Sequence, residues 1–271
     1  MGGRKRTWEA ISYEAVMTVV ALIALIVIIA PSLVVIIVSF TNGFSLRFPP
    51  PGYSVRWYVE LWNAWQLHFA AKNSFVVALW STGLSVVLGV AAALAISRSK
   101  ALSAKLLDSL FMSPLVLPAL AFGLASLMLF SLVGMQVSIL TLVIGHTVVC
   151  VPYVVRNTVA ALVQLEPALL ESSTVLGASR VYTFRRVVLP LIRPGVIAGA
   201  FIAFMSSFDN VPVSLFLRDA ATDMLPIRMW QDLEGKLDVT IAALSGVLIV
   251  ATVALMAIME RVTGLSKRLT S

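Results

Sequence analysis

The stretch Glu166-Pro167-Ala168-Leu169-Leu170-Glu171-Ser172-Ser173-Thr174-Val175-Leu176-Gly177-Ala178-Ser179-Arg180 lies between two long apolar spans. It continues through Tyr182, Phe184, Arg185 and Arg186 to Leu189-Pro190 and Arg193-Pro194. Four arginines and two glutamates in so short a run are too costly to place against lipid. This segment therefore leaves the bilayer and meets something else.

The rest of the chain is what makes that segment unusual. Of 271 residues, 59% are hydrophobic and only 12% charged, and the mean hydropathy is +0.97. A soluble domain carries about 25% charged residues. The composition is that of an all-α membrane protein, and the length allows one integral domain over residues 1–271. A net charge of +7 raises nucleic acid as a partner. The basic residues flank the apolar segments, however, as membrane orientation requires, so nucleic acid is excluded and membrane lipid is the expected surrounding. One cysteine, Cys150, rules out a disulfide framework. With two histidines beside it, no metal site is expected.

A bilayer core takes about 20 apolar residues in helical form. Six stretches meet or approach this length: 16–40, 74–97, 106–133, 138–163, 194–217 and 239–259. The first follows Arg4-Lys5-Arg6, as a signal peptide would. Its apolar run is too long for a signal h-region, and Phe40-Thr41-Asn42-Gly43 is a poor cleavage site, so it reads as a retained helix. Prolines 114, 118, 152 and 212 predict kinks within the spans. Gly83, Gly89 and Ala91-Ala92-Ala93 predict close helix approach.

Lys and Arg mark the cytoplasmic side. With the N-terminus inside, fourteen of the twenty fall inside and six outside. Both termini are then cytoplasmic, and so is the loop at about 164–193. Outside, Pro49-Pro50-Pro51-Gly52 breaks regular helix, and Trp57, Tyr58, Trp62 and Trp65 predict a short interfacial helix. Asp223, Asp232, Glu234 and Asp238 populate the last outer loop, most simply as a solvated face.

Within the cytoplasmic loop, Pro167 suits a first helical turn. Apolar Leu169, Leu170, Val175 and Leu176 among polar neighbours give about three turns, which Gly177 is placed to end. Leu189-Pro190 and Arg193-Pro194 are expected to break the chain before the fifth span.

This spacing resembles the signature loop of the permease subunits of type I ABC importers. That pattern runs Glu-Ala-Ala, three residues, Gly, then a hydrophobic segment ending in Leu-Pro. Here it reads Glu171-Ser172-Ser173, Thr174-Val175-Leu176, Gly177 and Leu189-Pro190, with serines in place of both alanines. Lys72-Asn73-Ser74, the run from Met112 to Pro118, Gly145-His146-Thr147, the run from Ser207 to Ser214 and Leu225-Pro226-Ile227 are similar to the subgroup serving polyamine uptake.

The resemblance implies a six-span permease fold with both termini cytoplasmic, in the bacterial inner membrane. It implies half of a translocation pathway for a small solute, a polyamine such as putrescine or spermidine, delivered by an extracytoplasmic binding protein. Related subgroups carry aminophosphonates, thiamine, iron or sulfate. A second, related but different permease and two cytoplasmic ATPase subunits complete the assembly. Leu170, Glu171, Ser172, Ser173, Leu176, Gly177, Ala178, Leu189 and Pro190 are the expected ATPase-coupling residues. No Gly-x-x-x-x-Gly-Lys-Ser/Thr motif is present, so ATP and magnesium belong to the partner ATPase, and this chain carries no cofactor and is not an enzyme.

Three residues are candidates for the substrate pathway. Asp209 is a carboxylate within a span and, with Asn210, either attracts a cationic amine or hydrogen-bonds structurally to a neighbouring helix or subunit. His146 is either a pathway residue or the usual satisfied interhelical hydrogen bond. A stand-alone secondary transporter is the contrasting class. Such proteins place several ionisable groups near the midplane, whereas only Asp209 and His146 are available here.

Overall fold

The computed structural model describes residues 8–97, 102–236 and 239–264. The basic residues at 4–6, 98, 100, 267 and 268, and Asp238, lie outside this set. The chain forms two compact units, residues 1–64 with 232–253 and residues 65–231 with 254–271.

In the first unit, helix α1 (Trp8–Ser39) is followed by a loop closed by pairing of Thr41 with Tyr53. Its backbone bonds are Asn42 N–H to Gly52 O at 3.0 Å and Ser54 N–H to Phe40 O at 2.6 Å. The short helix α2 (Arg56–Asn63) follows, as the aromatic cluster predicts, and buries Trp57 and Leu61. The Trp57 indole donates to Gly43 O at 3.1 Å, and Arg56 lies over the rings of Phe44 and Trp57 at 4.1 and 4.6 Å. Trp62 points away, 80% exposed. That is the arrangement of an amphipathic interfacial helix.

The second unit is built on α3 (Trp65–Ser97), α6 (Ile139–Val163) and α9 (Leu189–Phe208), which pack against one another. Helix α6 is the central member. A Cβ on Gly89 of α3 would stand 2.8 Å from Val154 Cβ, and one on Gly199 of α9 would stand 2.9 Å from Val154 Cα. Without these side chains the backbones approach closely, as small residues permit in membranes. Hydroxyls tie the contact: Ser81 donates to Val143 O at 3.2 Å and Ser85 to Thr147 O at 3.3 Å. Cys150 is buried, its thiol 3.2 Å from Ala203 O, so it packs as a small core residue.

Five described helical spans are long and apolar enough to cross a membrane: 13–39, 65–97, 139–163, 180–208 and 240–263. A bent pair, α4 (Leu102–Val116) and α5 (Ala119–Leu132), with 104° between them, makes a sixth when the two are counted as one span. The protein is thus an all-helical, multi-pass membrane protein, and four expectations need correction. The third span is two helices rather than one kinked helix, because Pro118 adopts extended backbone (φ −56°, ψ 121°) as the N-cap of α5. The second span begins at Trp65, well before Asn73-Ser74.

The fifth span begins at Arg180, so neither Leu189-Pro190 nor Arg193-Pro194 breaks it. Helix α8 (Arg180–Thr183) passes into a π-helical turn, Phe184–Val188, in which Leu189 N–H bonds to Phe184 O. That wider turn accommodates the ring of Pro190, which a strict α-helix would set against a carbonyl four residues back. The span's long helix ends at Phe208, and after an interruption at residues 209–210 the chain continues as a separate helix, α10 (Val211–Leu217). Pro212 lacks an N–H to continue the ladder, so it marks a break and not a kink.

Candidate functional site

The loop is built from α7 (Pro167–Val175), with Pro167 in its first turn. It ends in a Schellman motif. Ala178 N–H bonds to Ser173 O at 3.1 Å and Gly177 N–H to Thr174 O at 2.9 Å, with Gly177 at φ +77°. Ser179 then caps α8, accepting from Tyr182 N–H at 3.2 Å.

The two serines that depart from the signature are both used. Ser172 donates to Ala168 O at 2.7 Å, one turn back along its own helix. Ser173 is buried, and its hydroxyl lies 2.7 Å from that of Thr183. This contact joins α7 to the base of the fifth span, a pairing of residues ten apart that spacing alone did not indicate.

What remains outward is apolar at the tip and charged around it. Val175 and Leu176 are 87% and 84% exposed. Glu171, Arg180, Arg185 and Arg186 are exposed beside them. A groove of about 670 Å³ runs along Leu169, Ser172, Leu176, Ala178, Tyr182 and Val187. Leu170, Leu189 and Pro190 are also exposed, Leu170 and Leu189 only about 36–38%. An apolar tip ringed by charge is suited to docking in a matching recess of another protein.

The three pathway candidates fall at the break in the fifth span. Asp209 closes α9 and is exposed. Asn210 is the N-cap of α10, its Oδ1 accepting from Val213 N–H at 2.9 Å. His146 is fully buried, Nδ1 2.8 Å from Ser207 Oγ and Nε2 3.1 Å from Ser214 Oγ. The structure thus brings His146 to the break, with both nitrogens engaged, and leaves the Asp209 carboxylate open.

Two sequence features read separately prove to be one. Asn73 donates to Asp223 O at 3.0 Å, and Ser74 Oγ accepts from Leu225 N–H at 2.9 Å. The Asn-Ser pair therefore holds the turn before α11 (Leu225–Lys236), and Arg228 bonds to Gln66 on the same side. Within that turn Arg218 and Asp223 form an ion pair at 2.9 Å. The Thr222 hydroxyl, bonded to Asp219, holds that carboxyl below its ordinary range. Part of the acidic loop is accordingly structural.

A family model described as binding-protein-dependent transport system inner membrane component matches residues 85–268. The spermidine/putrescine transport system permease protein PotC of Haemophilus influenzae is 28% identical over 231 residues, 84% of this chain and 90% of that one. The putrescine transport system permease protein PotI of Escherichia coli K12 is 27% identical over 234 residues, 84% of this chain and 83% of that one. Among solved structures, a bacterial alginate ABC transporter in complex with its alginate-bound periplasmic protein has a similar fold. Its TM-score is 0.72 at 17% identity, covering 96% of this chain and 99% of that one. The MetNI methionine ABC transporter gives 0.58 at 18% identity, covering 76% and 97%.

Proposed function

The chain belongs to the binding-protein-dependent transport system inner membrane component family, and from that membership we propose that it is the permease subunit of an ATP-driven importer of polyamines. The observation that carries the reading is the loop between α6 and α9. It is ordered by its own Schellman stop and by the Ser173–Thr183 contact, yet it leaves Val175 and Leu176 uncovered. A cytoplasmic ATPase is the occupant, and α7 is the coupling helix.

In this reading residues 1–271 act as one permease domain of the bacterial inner membrane, with both termini cytoplasmic. A second, related but different permease forms the other half of the pathway. Two ATPase subunits bind ATP and magnesium, and an extracytoplasmic protein delivers the solute. ATP closes the ATPase pair, α7 moves with it, and the rigid connection to the fifth span turns the pathway outward. Hydrolysis returns it inward.

Polyamine cargo is supported by the names of relatives that match over most of their length. Asp209 is the group in this chain best placed to draw a cationic amine, being an exposed carboxylate at a helix break. His146 and Asn210 are committed to hydrogen bonds and shape the break around it.

The test is co-expression with the neighbouring ATPase, second permease and binding protein, followed by uptake of labelled putrescine and spermidine into vesicles. ATP-dependent uptake, abolished together with ATPase co-purification when residues 166–178 are deleted, is the expected result. ATP-driven uptake of an aminophosphonate, thiamine, iron or sulfate in place of an amine would keep the permease and discard the cargo. Uptake that persists without the ATPase would discard both.

A further inference from the structure

The fifth span is interrupted at Asp209-Asn210, and one side chain from another span holds both sides of the gap. His146 of α6 contacts Ser207 on the last turn of α9 and Ser214 on the first turn of α10. One ring nitrogen donates and the other accepts, and a serine hydroxyl takes either role, so both ring nitrogens are satisfied.

The geometry of this bridge is informative. On an unbroken helix, residues seven apart are separated by about 10.5 Å along the axis. Their Cβ atoms lean the same way, so their hydroxyls stay near that separation. Bonds of 2.8 and 3.1 Å, made through two nitrogens that share one ring carbon, fall short of it. The bridge closes only because the helix is interrupted at residues 209–210.

Packing around α10 supports the same state. A Cβ on Gly123 of α5 would lie 2.6 Å from Pro212 O, and one on Gly145 of α6 would lie 2.6 Å from Leu217 Cδ1. The half-helices of the two interrupted spans, α5 and α10, therefore pack on each other and on α6. Within a bilayer no water replaces a lost hydrogen-bond partner, so opening the bridge has a definite cost.

We propose that His146 is a positioning residue of the transport cycle, clasping both sides of the break so that α10 stays bent against α6. Straightening the span, or swinging α10 away from α9, releases one of the two serines. The proposal rests on the transport reading above and assigns its moving part.

The test uses spin labels attached through V148C on α6 and L215C on α10, both at exposed positions (40% and 45%). The buried Cys150 is first removed by C150A, and the assembled transporter is held in lipid nanodiscs. Without nucleotide, the parent should give one narrow distance. S214A should raise the population of a second distance about fivefold, the size expected for loss of one net hydrogen bond. H146N keeps an atom where Nδ1 lies and should behave like S214A. H146Q reaches where Nε2 lies and should behave like S207A.

Adding S214A to H146N should then change nothing further, whereas adding it to H146Q should. Parent-like distances in H146N, H146Q and H146F, or an S214A effect undiminished in the H146N background, would overturn the clasp. The transport reading fails differently, as an intact clasp whose distance never responds to ATP.

Discussion

Gly177 carries two demands that separate cleanly. Its φ of +77° is a backbone requirement, and beyond its chain neighbours no atom lies within 4 Å of where its Cβ would be. Gly177→Ala therefore costs the isolated chain about 1–2 kcal/mol of backbone strain. If α7 docks on an ATPase as proposed, a bulky residue such as Gly177→Trp projects into the groove along Leu176 and Tyr182 and obstructs that partner. The expected outcome is normal expression with uptake lost and ATP hydrolysis retained, checked by measuring both in the same vesicles.

Ser173 and Thr183 offer a complementary test. Ser173→Ala and Thr183→Val each break one hydroxyl contact, and together they should cost less than the sum. The coupling is of order 1 kcal/mol, as for a net hydrogen bond. If α7 is the coupling helix, it should appear in the ratio of uptake to ATP hydrolysed, because the contact joins α7 to the fifth span.

Among the elements, α6 is the one most closely approached. A side chain at Gly199 would collide with the backbone at Val154, which has no means of yielding. Gly199→Val should destabilise the unit by at least about 1–3 kcal/mol, the scale of overpacking. It should show as loss of folded protein in detergent, with Gly83→Val as a control because a Cβ there meets no atom within 4 Å beyond its own helix backbone.

The elements also show where local reading of proline stops. Pro118, Pro190, Pro194 and Pro212 remove the same N–H, yet the chain ends a helix at the first, widens a turn before the second, and runs straight through the third. At Pro212 it breaks, where Asn210 supplies a cap and α5 presents Gly123 to receive the Pro212 carbonyl. The missing donor is visible in the sequence, but its consequence depends on what stands alongside.

For the whole molecule the testable quantity is orientation. V175C in α7 should react with a membrane-impermeant maleimide only in inside-out vesicles, its parent residue being 87% exposed. F44C, in the loop before α2 and 76% exposed in the parent, should react only from the outside. The opposite pattern would reverse the placement of the coupling loop.

That the chain spans a membrane, roughly where it does so, and which polar loop parts the fourth span from the fifth were all legible in the sequence. Those conclusions rest on hydrophobicity, charge and short-range spacing, which act on each segment alone. The Schellman stop at Gly177 was legible for the same reason, since every atom in it lies within six residues. Folding alone brings Ser173 to Thr183, Asn73-Ser74 to the turn before α11, and His146 to Ser207 and Ser214. Each of those contacts depends on the directions in which packed helices aim single polar groups. Where the group is buried, as at His146, Ser173 and Ser74, no partner remains but the one it faces.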